Sequence, residues 1–331
     1  MSLHPASALT GGPLVGSPAA PAQGSSPGTA TGPVPGGQDV TATTPGGRRG
    51  TGIALMLTGS ASNQTGAAIG ALAFPAIGPV GVVAIRQLTT ALVLTPLVRP
   101  RVRGLTRQQW WPVLGLVLVF SVMNLSLYAA IERIGLGLAV TLEFLGPLTV
   151  AVISSRRAID GIAALVAGLG VLVLTNPGPT TDFVGIGLAL VAAAAWGGYI
   201  LLNRTVGQRM PGLQGTAVAS LVTAGVWLPV ALIWFSLHPP TTAAIGLAVA
   251  CGVLASAVPY AVDLLALRRV PAQVFSIFTS INPVWAALAG WAVLDQMLGL
   301  NQWVGIGLIA LSNVVVSARP AKTASARGPS G

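Results

Sequence analysis

The sequence predicts an all-α membrane protein: ten transmembrane helices in two inverted five-helix repeats. Three observations predict it. Long apolar runs carry almost no charge, the basic residues collect in alternate gaps between those runs, and one segment recurs in altered form 136 residues further on.

The apolar runs come first. Of 331 residues, 53% are hydrophobic and only 7% charged, against about 25% charged in an ordinary soluble domain. So little charge does not cover a water-facing surface, and runs of this length suit a bilayer. Between residues 52 and 317 the chain divides into ten spans of ~20 residues, the length a helix needs to cross the hydrocarbon. They lie at about 52–74, 79–98, 110–130, 134–154, 158–175, 183–203, 213–235, 242–266, 270–291 and 300–317, and are called spans one to ten below.

The charges test that division. With a cytoplasmic N-terminus, 15 of the 17 Lys and Arg residues fall in inside segments. They include Arg99, Arg101, Arg103 and Arg107 after span two, Arg156 and Arg157 after span four, and Arg268 and Arg269 after span eight. Arg133 stands alone outside, and Arg86 lies within a span. A single missed helix would scramble this alternation, so the positive-inside rule places both termini in the cytoplasm. The Trp110–Trp111 pair opening span three has the position of an interfacial anchor. The net charge of +10 therefore belongs to membrane loops, and no nucleic-acid partner is expected. Residues 1–50, rich in Gly, Pro, Ala, Ser and Thr, read as a disordered cytoplasmic tail with no signal peptide, and 319–331 as a short basic one.

The third observation is the repeat. A shift of 136 lays IERIGLGLAVTLEFLGPLTVA (131–151) on LRRVPAQVFSIFTSINPVWAA (267–287), with Arg133 on Arg269 and Pro147 on Pro283. A shift of 133 lays Thr51-Gly52-Ile53 on Val184-Gly185-Ile186. The boundaries this implies are 51–176 for the first repeat and 177–318 for the second. Five spans is an odd number, so the halves insert upside down relative to one another. That plan recurs in transporters, with the substrate near the midplane between the halves.

Function then rests on polar residues inside spans. A charge at a helix centre costs ~2.5–3.5 kcal/mol on insertion scales. Glu143 lies near mid-bilayer in span four, with Pro147 four residues on. Proline has no N–H for the carbonyl four residues back, so a kink exposes an acceptor beside the carboxylate. The pair suits an ammonium group or a proton; the alternative is a protonated Glu that links helices. Its repeat counterpart is Thr279 with Pro283. Arg86, ~10 Å into span two, either reaches outward to the interface or faces a cavity and meets a carboxylate. Asp263, near the inner end of span eight, stands by Arg268 and Arg269. An interfacial ion pair is the better reading there, with a proton site as the alternative. Asn63, Gln64, Asn124 and Tyr260 are neutral polar candidates for substrate contact, although such residues more often join helices.

Enzyme signatures are missing. The two histidines, His4 and His238, lie in the tail and an outer loop, and no His-Glu-x-x-His, Walker loop or Gly-x-Ser-x-Gly elbow occurs among the ten spans. Cys251 is the only cysteine, which excludes an intrachain disulfide and a cysteine metal cluster. No enzyme activity, cofactor or metal is expected, and any pumping uses an ion gradient or the solute's own.

The run GLAVTLEFLGPLTVAVISSRR (137–157) resembles the fourth-helix region of EamA-type carriers in the drug/metabolite transporter superfamily, in particular the threonine/homoserine exporter branch. GPVGVVAIRQLTTALVL (78–94) is similar to that branch's second helix, with its intramembrane arginine at Arg86, and SAVPYAVDLLALRRVP (256–271) to its eighth, with an acid at Asp263. The resemblance covers roughly 52–317. It implies two inverted five-helix repeats around a central cavity, and export of a small amino acid against proton entry across the inner membrane. Rival readings are export of another small metabolite or a cationic drug, or a non-transporting membrane scaffold or sensor. Two departures bear on the substrate and coupling: Asn282-Pro283 replaces the usual Glu-Pro, and Asp295-Gln296 the usual Gly-Glu.

Overall fold

The computed structural model describes residues 45–154, 158–176, 178, 181–210, 214–259, 262 and 279–318. The expected tails (1–44 and 319–331), Tyr260, Asp263, both loop pairs Arg156–Arg157 and Arg268–Arg269, and the start of span nine lie outside the described residues.

Regular structure among the described residues is helical, and a helix falls in each of the ten expected spans. Span one is Pro45–Ala71, span two Phe74–Val98 and span three Arg107–Ile134. Span four is Leu136–Glu143 followed by Leu145–Ile153, and span five is Ala158–Thr175. Spans six and seven are Phe183–Arg209 and Gln214–Leu237. Span eight is Thr242–Gly252 continued by a π-turn, Val253–Ala257, and spans nine and ten are Asn282–Leu294 and Leu300–Ser317. Six of these are long and apolar enough to cross a membrane, and Ile159–Thr175, Thr242–Ala257 and Asn282–Leu294 are shorter apolar helices. Leucines at 76%, 64% and 67% exposure (Leu92, Leu118 and Leu232) cover the outer faces, as lipid contact requires.

Several boundaries differ from the sequence reading, span six running on to Arg209 and span three covering Arg107–Ile134, and three of the differences have a local reason. Span one starts at Pro45 rather than 52; proline suits a first helical turn, where its missing N–H would have no partner in any case. Span two starts at Phe74 and kinks at Gly78, whose φ of +64° is open to glycine. Pro79 follows, and a residue before proline is driven out of the α region. Span four is broken by one turn residue, Phe144, directly after Glu143. Pro147 gives the carbonyl of Glu143 no N–H, so the helix is weakest there. Pro283 sits in the first turn of span nine, after a turn at Ser280 and Ile281.

Packing partners follow a pattern. Span one lies along span eight, and span six along span three; span one touches span nine, and span six touches span four; span two touches span eight, and span seven touches span three. Spans two and seven, four and nine, and five and ten also pack together. Replacing every span by the one five places away returns these pairs, whereas spans two and three, three and four, and four and ten pack together with no such counterpart among the described residues.

At the arginine-rich end, Gln109 Nε2 donates to the carbonyl of Arg209 (3.1 Å), and Arg209 lies over the Trp111 ring at 5.3 Å. At the opposite end, Arg133 pairs with Asp182 (Nε–O 3.0 Å). Asp182 also caps span six by accepting from the Gly185 N–H at 2.8 Å.

That cap predicts a pH dependence. The Gly185 N–H bond first, and then Arg133, hold the Asp182 carboxyl below its usual value. A carboxylate whose folded pKa is depressed adds stability above its unfolded pKa of about 3.9, and loses it as pH falls through the folded value. Thermal unfolding of purified Asp182→Ala should begin below wild type at pH 7, and the gap should close in acid below about pH 4. A gap independent of pH would mean that the charge contributes nothing.

Candidate functional site

Arg86 is the centre of the polar interior. Its guanidinium reaches two helices other than its own, spans three and eight. One Nη donates to Asn124 Oδ1 of span three, the other to the Ala255 carbonyl of span eight (3.2 Å), and Nε to Ser256 Oγ (3.4 Å). The group also lies over the Tyr128 ring, 5.3 Å from its centroid, a cation–π contact.

Each acceptor is prepared by local sequence. In a regular helix the Ala255 carbonyl would take the N–H of residue 259, but residue 259 is proline. The chain answers with the π-turn Val253–Ala257, the kind of helical irregularity often found at functional sites, and Arg86 takes the spare carbonyl. Asn124 is oriented by its own amide, which donates to the Phe120 carbonyl at 2.8 Å. Tyr128 is fully buried, with its hydroxyl 3.0 Å from Cys251 Sγ and its ring edge-on to Phe74.

A cavity of ≈ 210 Å³ opens beside this arginine. Its lining includes Asn63 and Gln64 from span one, Arg86, Asn124 and Tyr128, Glu143 from span four, and Trp196 and Tyr199 from span six. Five of the six residues expected to contact substrate therefore share one cavity, and the sixth, Tyr260, lies outside the described residues. Glu143 is 6% exposed. Behind it the Phe144 ring meets Trp196 edge-on at 4.6 Å, and the span four backbone closes on span six: a Cβ at Gly146 would stand 2.2 Å from the Ala193 carbonyl oxygen. Glycine at 146 is what lets this wall form.

The cavity thus offers a cation and a carboxylate to one occupant, with amides and aromatic rings between them. It is smaller than the ~300 Å³ at which sites for drug-sized ligands begin. A wider recess of ≈ 520 Å³, lined by Arg99, Arg101, Gln109 and Gln214 among others, lies at the arginine-rich end.

The departure Asp295-Gln296, at the end of span nine, has a structural account. Asp295 adopts a left-handed φ of +53° at the end of its helix, a place where glycine carries no strain. Gln296 Oε1 accepts the Leu136 N–H at 2.9 Å, so it supplies the oxygen acceptor that a glutamate would supply. Asn282 is buried, and its Oδ1 has no hydrogen-bond partner among the described residues. No group of His, Cys, Asp and Glu able to hold a metal occurs among the described residues.

Apolar membrane-crossing helices around a buried cavity lined by an arginine and a glutamate define a multi-pass membrane protein of the carrier kind. The pattern of the EamA-like transporter family matches residues 183–318. The chain is 35% identical over 275 residues to the threonine/homoserine exporter RhtA of Salmonella typhimurium (strain LT2), covering 80% of this chain and 89% of that protein. It is 34% identical over 272 residues to RhtA of Escherichia coli (strain K12), covering 79% and 90%. A solved crystal structure at 18% identity shares the fold, with a TM-score of 0.54 over 83% of this chain and 98% of its own. The chain belongs to the EamA-like transporter family, whose members among these relatives are transporters and not enzymes.

Gly146→Val should lower the unfolding temperature of the purified protein, because the new side chain meets backbone that cannot give way. Overpacking of this kind costs ~1–3 kcal/mol or more. Gly161→Ala in span five, where nothing lies within 4 Å, should leave it unchanged or raised. Equal behaviour of the two variants would refute the close approach of spans four and six.

Proposed function

We propose that the protein exports a small amino acid, such as threonine or homoserine, across the inner membrane in exchange for protons. The observation that carries this reading is the shared cavity of Arg86 and Glu143. An amino-acid zwitterion needs a cation for its carboxylate and an anion for its ammonium group. Charge-assisted hydrogen bonds contribute ~1.5–3 kcal/mol each. The cavity supplies one of each sign, in a volume suited to a small solute. The RhtA relatives, of which the chain spans 89–90%, carry the name of threonine/homoserine exporters.

Glu143 is the coupling carboxylate in this reading: it holds either the substrate's ammonium group or a proton, and the two exclude each other. Asp263 is a second candidate by sequence alone. The exchange of packing partners between spans supports two inverted repeats, 51–176 and 177–318, and the family pattern on 183–318 fits the second. Loop charge supports cytoplasmic termini, which makes the recess at Arg99 and Arg101 the inward mouth. Replacement of the usual glutamate by Asn282 favours a second reading, in which the solute is another small metabolite. Cationic drugs fit less well, since Arg86 lines the cavity.

Efflux of labelled threonine and homoserine from proteoliposomes, with a proton gradient imposed, tests the reading. Wild-type protein should move them faster when protons flow inward through it. Glu143→Gln and Arg86→Gln should each lower the rate by about tenfold or more, as loss of one charge-assisted bond requires. Wild-type rates from both variants would remove these residues from the mechanism, and no flux from wild type would remove the substrate.

A further inference from the structure

Next to the central cavity is a second, smaller chamber of ≈ 70 Å³. The two share Arg86, Phe120, Met123 and Asn124 as a common wall. Gln87, Thr90, Ser220 and Ser256 line the small chamber and not the large one. Thr90 lies one turn past Arg86 toward the end of span two, and Ser220 lies in the second turn of span seven. The chamber is therefore on the arginine-rich side of Arg86.

Its formal charge is one-sided. Arg86 brings a guanidinium, which donates and never accepts. Gln87 is 9% exposed, and its Nε2 is a buried donor with no acceptor among the described residues. A buried amide N–H without a partner is unfavourable, and Gln87 lines the chamber, where an acceptor would relieve it. Ser220 adds a hydroxyl at 5% exposure. No carboxylate lines the chamber; Glu143 lines only the larger cavity. The space exceeds the ~10–15 Å³ that a water needs.

We propose that this chamber is the carboxylate subsite: the substrate's carboxylate seats between Arg86 and Gln87 Nε2, while its ammonium group remains in the larger cavity on the Glu143 side. The inference deepens the amino-acid reading and rests on it. It makes Gln87 a specificity-determining residue, gives the bound amino acid a fixed direction across the bundle, and makes amines that bring no anionic acceptor bind measurably but more weakly than the amino acid.

Equilibrium binding to the full-length purified protein tests this with three probes. L-Threonine carries both charges, threoninol keeps the ammonium and hydroxyl but not the carboxylate, and 3-hydroxybutyrate keeps the carboxylate without the ammonium. Gln87→Leu should weaken threonine about tenfold and threoninol less than twofold. Gln87→Glu, which places a negative charge in the chamber, should weaken threonine further while sparing threoninol. Gln87→Asn should recover part of the threonine affinity, and Ser220→Ala should show a smaller loss with the same selectivity. Retained threoninol binding certifies that each variant is folded. Equal losses for threonine and threoninol, or unchanged threonine binding in Gln87→Leu and Gln87→Glu, would overturn the subsite. Wild-type protein that binds threonine and threoninol alike would overturn it as well, while leaving amino-acid transport standing. Wild-type binding of 3-hydroxybutyrate but not threonine, weakened by Gln87→Leu, would keep the anion subsite and remove the amino-acid substrate.

Discussion

A guanidinium held inside an apolar bundle is the constraint around which the rest is arranged. Arg86 is always charged, and hydrocarbon offers it nothing, so the protein must supply acceptors from several directions at once. Asn124 comes from span three and the Ala255 carbonyl from span eight, while the face of Tyr128 replaces part of the lost hydration. Each commits more of the chain: Asn124 to the Phe120 carbonyl, Tyr128 to Cys251, and Ala255 to a π-turn enforced by Pro259. Spans two, three and eight are thereby locked to one another around a polar centre that apolar packing would otherwise close.

Close backbone approach does the complementary work of sealing that centre from lipid. A Cβ on Gly66 would meet the backbone of Ala255 at 2.6 Å, so span one lies directly against the π-turn that serves Arg86. Gly146 plays the same part between spans four and six. Small residues at such crossings allow van der Waals packing to hold helices together where no hydrophobic drive exists between them. The cavity survives because the contacts around it are too tight to slide, and because its own walls are lined with large rings, Tyr128, Trp196 and Tyr199.

Much of this was legible from residue type and depth. Arg86 and Glu143 stand out because charge is scarce in spans, and Asn63, Gln64 and Asn124 because amides are. Their convergence on one cavity was not legible, since hydropathy says how deep a residue lies and nothing about which way it faces. The aromatic lining was missed for that reason: Tyr128, Trp196 and Tyr199 read as ordinary apolar bulk. Gln87, Ser220 and Ser256 were missed because each is a small polar group among many. One signal was present and unused. The rule that pointed from Pro147 back to the Glu143 carbonyl points equally from Pro259 back to Ala255, the carbonyl that Arg86 takes. The break at Phe144 was foreseen as a kink, and the early start of span two was not, because the Gly78-Pro79 pair reads as a boundary rather than as a bend within a helix.

Thiol accessibility inside the bundle distinguishes a water-filled, substrate-bearing cavity from a sealed polar core. In a protein whose buried Cys251 has been replaced by alanine, Met123→Cys would place a thiol on the wall shared by both chambers, and Leu118→Cys one on the lipid-facing side of the same helix. The Met123→Cys thiol should react with a water-soluble thiol reagent and be protected by threonine in a concentration-dependent way, while the Leu118→Cys thiol stays inert with or without threonine. A Met123→Cys thiol that is unreactive, or that reacts at the same rate with threonine present, would contradict a zwitterion bound between Arg86 and Glu143.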